Sequence, residues 1–132
     1  MFALIDTSVW VRAVHQKDAS ARMHLERAVA AGRAAICPIV LAECLAGRTR
    51  TSSAEAIRER LTALPMLACD DRVWEKCYWL VGESRARGQT LSATDGLVAA
   101  HALVAGAEVL HDDGDFERIA HWAGLRQTRV RA

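Results

Sequence analysis

Phe2-Ala-Leu-Ile-Asp-Thr-Ser-Val-Trp10 is the stretch on which the fold turns. Phe2 to Ile5 is an apolar run too short for a buried helix. It reads as a buried strand that ends abruptly on an acid and two hydroxyls. Asp6, Thr7 and Ser8 can each cap a helix, so the chain passes from strand to helix at this point. A strand buried on both faces and followed at once by a helix belongs to a parallel sheet covered on both sides.

The same alternation continues outward from this segment. Ser20 to Ala31 reads as a helix stopped by Gly32, and Ala34 to Cys37 as a second strand. Pro38 then stands at a first helical position, where its missing N–H costs nothing. The helix through Ile39 to Ala46 breaks at Gly47, and Gly47 to Ser53 is polar and basic. Ala54 to Leu64 is a helix and Met66 to Cys69 a third short strand. Asp70 or Asp71 caps a helix reaching about Arg87, with Val73, Trp74, Cys77, Tyr78 and Val81 at helical spacing. Leu91 to Asp95 opens a helix to Gly106. Glu108 to His111 is a strand, Asp115 to Ala123 a helix, and Gln127 to Val130 a last strand. Strands and helices in this order give an α/β fold with right-handed crossovers. Its ligands are expected outside the carboxyl ends of the strands.

The chain has 132 residues, which points to a single domain spanning 1–132 with its own core. Net charge is +1, so it is no bulk polycation. Fifteen of the 17 basic residues are Arg, whose planar fork suits phosphate, although GC-rich coding gives the same skew. Cys37, Cys44, Cys69 and Cys77 form no C-x-x-C pair and have no His at zinc-site spacing. They read as small apolar residues in a reducing cytosol. The first residues carry no signal-peptide pattern, and Gly96 to Leu110 falls short of the about twenty apolar residues a membrane span needs. The expectation is a cytoplasmic protein.

Three acids stand in apolar surroundings. Asp6 is the lone charge between Met1 and Val11, Glu43 from Ala34 to Gly47, and Asp95 from Gln89 to Ala107. An ionised carboxylate there must be paired, hydrogen-bonded or metal-bound. Asp6 reads equally as a helix cap, and Asp95 as an anion at a helix N-terminus. Glu43 lies mid-helix, where the structural alternative is an ion pair with Arg48 or Arg12. A fourth group, Asp112-Asp-Gly-Asp115, follows the strand ending at Leu110. In it Asp115 doubles as a cap for the helix from Phe116, and Asp113 has the least structural reason to be acidic. The segment lacks the spaced ligands of a calcium loop. Gathered at one sheet edge, these carboxylates would repel one another unless a cation sat among them. All-oxygen ligation suits Mg²⁺ or Mn²⁺, and such an ion can drive phosphodiester hydrolysis.

These segments resemble a known family. Phe2 to Trp10 looks like the opening motif of PIN-domain nucleases, Leu41-Ala-Glu43 the segment of their second acid, and Ser92 to Ala100 the third. Glu108-Val-Leu-His-Asp-Asp-Gly-Asp-Phe116 is similar to the fourth. The ordered set covers nearly the whole chain, and the length is similar to VapC toxins of type II toxin–antitoxin pairs. The resemblance implies a three-layer α/β/α domain, a Mg²⁺-dependent endoribonuclease, a VapB-like antitoxin that blocks the site, and a homodimer. By position it makes Asp6 and Asp95 the metal ligands, with Glu43 and Asp113 completing the catalytic set. Ser8 would support the site by hydrogen bonding, and Asp115 would be a supporting or additional ligand. His111 departs from the Thr usual there and reads as structural, and Asp112 makes the edge more acidic.

RNA near a carboxylate site needs compensating cations, and Arg48 and Arg50 are the first candidates, with Arg12, Lys17, Arg85 and Arg87 behind them. Trp74, Tyr78 and Trp79 offer base stacking. Core packing or a subunit interface is the preferred role, because Trp74 and Tyr78 fall on the apolar face. The alternative to a nuclease is a non-catalytic RNA- or partner-binding protein of the same fold. A phospho-accepting receiver domain ranks last, since neither Lys17 nor Lys76 follows a late strand.

Overall fold

The computed structural model describes residues 1–47 and 53–131. Arg48 and Arg50, the first candidates for phosphate contacts, lie outside the described residues. Four parallel strands form the sheet: β1 (Ala3–Ile5), β2 (Ala34–Ala35), β3 (Glu108–His111) and β4 (Gln127–Arg129). Their order is β2-β1-β3-β4. In register, Leu4 stands beside Ala35 on one side and Val109 on the other, and Leu110 beside Thr128.

The helices are α1 (Thr7–Trp10), which runs on through a π-helical turn over Val11–His15, α2 (Ala19–Ala30) and α3 (Pro38–Ala46). Then come α4 (Ser53–Thr62), α5 (Asp71–Ala86), α6 (Ala93–Ala105) and α7 (Gly114–Ala123). Pro38 does occupy the start of α3.

The period-two alternation of strand side chains splits the core in two. Leu4, Ala35 and Val109 face a cluster with Val73, Leu80, Val98 and Phe116 from α5, α6 and α7. Ala3, Ile5, Ala34 and Leu110 face the other way, onto Val9, Ala13, Ala21 and Ala28. Both sheet faces are therefore covered, and the architecture is the three-layer α/β/α arrangement the alternation demanded.

Two expectations need correction. Met66 to Cys69 is not a strand: Met66 makes a single bridge to Ile36. Leu67 N–H still donates to the Ile36 carbonyl at 2.7 Å, but Asp70 caps α5 three residues on and ends any pairing. On α5 the core stripe is Val73, Cys77, Leu80 and Ser84, so Trp74 and Tyr78 are exposed, not core. Among the described residues there is no disulfide, and burial pushes the Cys37 thiol up to about 12. No described helix is long and apolar enough to cross a membrane.

Strand order sets where a ligand can sit. The chain leaves β1 for β2 on one side and later returns to β3 on the other. The carboxyl ends of β1 and β3 therefore flank a switch point, where connections diverge and leave a crevice. Asp6 follows β1 and Asp113 lies just past β3. α6 leads into β3, so it starts at this same edge and delivers Asp95 in its first turn.

Candidate active site

Asp6 is 5% exposed and caps α1, its Oδ2 accepting the Ser8 N–H at 3.1 Å and the Ser8 hydroxyl at 2.6 Å. The same Ser8 Oγ accepts the Asp112 N–H at 2.9 Å. One hydroxyl thus fastens the end of β1 to the turn after β3. Burial raises the Asp6 carboxyl above its usual range, the Ser8 bonds oppose this, and the Asp113 charge adds to it.

Asp95 N–H donates to Ser92 Oγ, which caps α6. Burial is the largest cause pushing the Asp95 carboxyl up to about 7, followed by repulsion and hydrogen bonding with Asp113 and by the charges of Asp6 and Glu43. Glu43, one helical turn into α3, accepts the Thr7 hydroxyl on Oε1 at 2.7 Å. Neither Arg12 nor another described cation pairs with it: Arg12 is held by Asp18 at 3.0 Å and Asp112 at 2.6 Å.

At the last motif the structure redistributes the expected roles. Asp113, not Asp115, caps α7, accepting the Asp115 N–H at 2.9 Å. Asp115 lies in the first turn, pairs with Arg118, and brings a carboxylate oxygen to the same spot as Asp95 and Asp113. One oxygen from each of these three lies within 4.8 Å of the others. Asp112 does not acidify the edge. Arg129 and Arg12 hold its carboxyl below the usual range, with Arg131 at 3.5 Å.

His111 is fully buried with both ring nitrogens engaged. Nδ1 accepts the Asp113 N–H at 3.0 Å, which leaves Nε2–H to donate to Gln127 Oε1 at 2.7 Å. Burial also lowers its affinity for a proton. The ring therefore orients Asp113 through its backbone and is not available to a metal.

Sequence reading missed four contributors: Thr7 holding Glu43, Arg129 neutralising Asp112, His111 orienting Asp113, and Gly96 beside Asp95. A Cβ on Gly96 would lie 2.9 Å from Val81 Cγ2, so α5 and α6 approach here as closely as glycine permits. A lone glycine inside an apolar helix is the signal that could have found it.

This donor set is entirely carboxylate oxygen, crowded enough to hold Asp95 partly protonated near neutrality. That is the chemistry of a site for a hard divalent cation. Such an ion would neutralise the repulsion and supply a polarised water and charge stabilisation at a phosphoryl oxygen.

The PIN-domain family model matches residues 3–121. The chain is 30% identical to a VapC ribonuclease of Mycobacterium bovis and to ribonuclease VapC11 of Mycobacterium tuberculosis. Each alignment covers 97% of this chain and 98% of the relative. Its fold is similar to that of DNA-bound VapBC from Salmonella typhimurium, with a TM-score of 0.80 and 20% identity over 99% of both chains. It also resembles VapBC2 of Rickettsia felis bound to a promoter fragment, with a TM-score of 0.77 and 23% identity over 98% of both.

Proposed function

Because the chain belongs to the PIN-domain family, we propose that residues 1–132 form one nuclease unit: a Mg²⁺-dependent endoribonuclease, the toxin of a VapBC-like pair. The observation that carries this reading is the carboxylate cluster at the switch point between β1 and β3. Its acids come from four separate places in the chain, and among the described residues no ion pair accounts for Asp6, Glu43 or Asp95.

In this reading Asp95 and Asp6 hold the cation, with Asp113 and Asp115 completing its surroundings. Mg²⁺ suits a set with no nitrogen or sulfur donor, and Mn²⁺ can replace it. Ser8 fixes the Asp6 carboxylate. Thr7 occupies Glu43 Oε1, which leaves Oε2 to accept a proton from a water placed against the phosphodiester. His111 keeps Asp113 aimed at the cluster. RNA phosphates would be met by arginines, with Arg48 and Arg50, which follow Glu43 in the sequence, the first candidates.

An antitoxin is the second partner. A groove of about 880 Å³ runs between α1, α2, α3 and α4, lined by apolar Trp10, Val14, Leu25 and Leu61 and also by Thr7 and Glu43. A segment seated there would reach the acids and block them.

The test is cleavage of RNA by the purified chain in Mg²⁺, in EDTA, and by Asp6→Asn and Asp95→Asn. Cleavage is expected in Mg²⁺ alone and is abolished in both variants. Full activity in either variant, or in EDTA, overturns the reading. Inhibition by the product of a small neighbouring reading frame would support the antitoxin.

A further inference from the structure

Asp115 is claimed from two sides. One of its oxygens lies within 4.8 Å of oxygens of Asp95 and Asp113, the set that suits a divalent cation. Its carboxylate also pairs with Arg118, one turn further along α7. Among the described residues, Arg118 is the one cation whose ion pair reaches these three acids. Its guanidinium lies against bare backbone: Nη1 is 3.4 Å from where a Cβ on Gly114 would stand, and Arg129 Nη1 is 3.9 Å from the same point. The two arginines differ in freedom. Arg129 is 24% exposed and held by Asp112 at 2.9 Å and Glu117 at 2.8 Å, whereas Arg118 is 52% exposed and pairs with Asp115.

One carboxylate does not serve a guanidinium and a divalent cation equally. Asp115 bonded to a cation gives most of its charge to that ion, and two positive groups on one carboxylate repel each other. Cation loading therefore loosens Arg118 from Asp115. The other acids of this turn and helix are already engaged, Asp112 by Arg12 and Arg129, and Glu117 by Arg129. A loosened Arg118 thus stays beside the cluster, over Gly114, with its fork free to take a new anion. A phosphodiester needs such a group there. On approaching Asp6, Glu43, Asp95 and Asp113 it meets like charge, which a neighbouring arginine offsets. The planar fork also matches the two non-bridging oxygens of a phosphate.

We propose that Arg118 is the residue that takes hold of an RNA phosphate at the carboxylate cluster, and that Asp115 keeps it in reserve and yields it when the cluster binds its cation. This rests on the metal-dependent nuclease reading given above and makes the grip on RNA conditional on the cation. It also assigns the phosphate contact to a side chain of α7 beside the reacting centre, whereas Arg48 and Arg50 would hold the strand from the α3 side.

Fluorescence anisotropy of a fluorescein-labelled single-stranded RNA tests this, read in EDTA and in Ca²⁺, a cation that takes the same oxygen donors. A gel confirms that the strand stays whole, and titration calorimetry with Ca²⁺ alone reads the cluster. Ca²⁺ is expected to tighten RNA binding by wild type. In Ca²⁺, Arg118→Gln should bind RNA about 10-fold more weakly. The slope of log affinity against log salt should become shallower by about 0.7, the value for one phosphate contact on a single strand. Arg118→Lys should recover part of the affinity. Ca²⁺ itself should bind Arg118→Gln at least as tightly as wild type, because a competitor for Asp115 is gone. Asp115→Asn should tighten RNA binding in EDTA, and adding Arg118→Gln should erase that gain. Arg33→Gln should change none of these, since Arg33 pairs with Glu108 at the opposite edge of the sheet. Circular dichroism confirms that each variant is folded. An Arg118→Gln chain with wild-type RNA affinity and salt slope overturns the proposal while RNA cleavage by wild type in Mg²⁺ leaves the nuclease reading standing. Weaker Ca²⁺ binding by Arg118→Gln also overturns it, by making Arg118 a brace for Asp115. A wild type that takes up no Ca²⁺ and cleaves no RNA in Mg²⁺ overturns the nuclease reading, and the proposal with it.

Discussion

Ser8 concentrates much of the site's architecture in a single oxygen, and removing it gives the sharpest quantitative prediction. In Ser8→Ala two contacts vanish. The first is the 2.6 Å bond to Asp6 Oδ2, which is charge-assisted and contributes about 1.5–3 kcal/mol. The second is the acceptor for the Asp112 N–H, at 2.9 Å and partly buried, whose loss costs about 1 kcal/mol where water can partly replace it. The sum is about 3 kcal/mol. For a chain of 132 residues, that corresponds to a fall in Tm of about 10–15 °C. The Asp6 carboxyl also loses the interaction that most strongly opposes its desolvation, so it becomes harder to ionise. Metal affinity is then expected to fall about tenfold or more, as when a ligand's supporting hydrogen bond is removed. Differential scanning calorimetry in EDTA isolates the stability effect, and titration calorimetry with Mn²⁺ reads the affinity. Ser8→Thr keeps the hydroxyl and should recover most of both. A Ser8→Ala protein melting within 2 °C of wild type would refute the idea that this hydroxyl ties the two strand ends together.

Two further outcomes follow from the geometry. Gly96→Ala sets a methyl 2.9 Å from Val81 Cγ2, a branched side chain with little freedom. A loss of about 1–3 kcal/mol of stability is expected in denaturant unfolding, together with reduced cleavage because Asp95 is the adjacent residue. The pH dependence has a definite sign. Asp95 takes up a proton in the folded, metal-free chain up to about pH 7, whereas unfolded it would be ionised above its ordinary value of 3.8. Between those limits the folded state binds more protons, so this group's contribution to stability falls as pH rises. Metal binds the ionised form and reverses the trend: the gain in Tm from millimolar Mg²⁺ should grow from pH 6 to pH 8 and flatten above. In Asp95→Asn a gain that still grows with pH would place the titrating group elsewhere.

Much of the candidate site was legible because a charge in an apolar run is conspicuous. Asp6, Glu43 and Asp95 were found that way, and the structure sets Asp6 and Glu43 close enough to Asp95 to shift its proton affinity. The acidic turn was harder, because three candidate caps and ligands crowd together there and sequence does not say which side chain folds back. Asp113 took the cap while staying in the cluster, Asp115 joined it there, and Asp112 was drawn off by arginines from the π-helical turn after α1 and from β4. Such long-range pairs leave no local trace. The same holds for α5. Its periodicity is helical about either stripe, and the choice of Val73, Cys77 and Leu80 for the core depends on what the sheet presents to it. Strand signals failed at Met66 for the opposite reason: the run is apolar enough to pair, but the cap at Asp70 leaves no length for a ladder.

The central claim is that the carboxylates at the ends of β1 and β3 hold the cation on which RNA cleavage depends. Anomalous scattering from crystals of the active chain soaked in Mn²⁺ tests it most directly. The account predicts a peak bonded to the Asp95 carboxylate and to Asp6 or Asp113, lost in Asp95→Asn. An RNA-cleaving chain whose crystals bind Mn²⁺ elsewhere, or not at all, would contradict it.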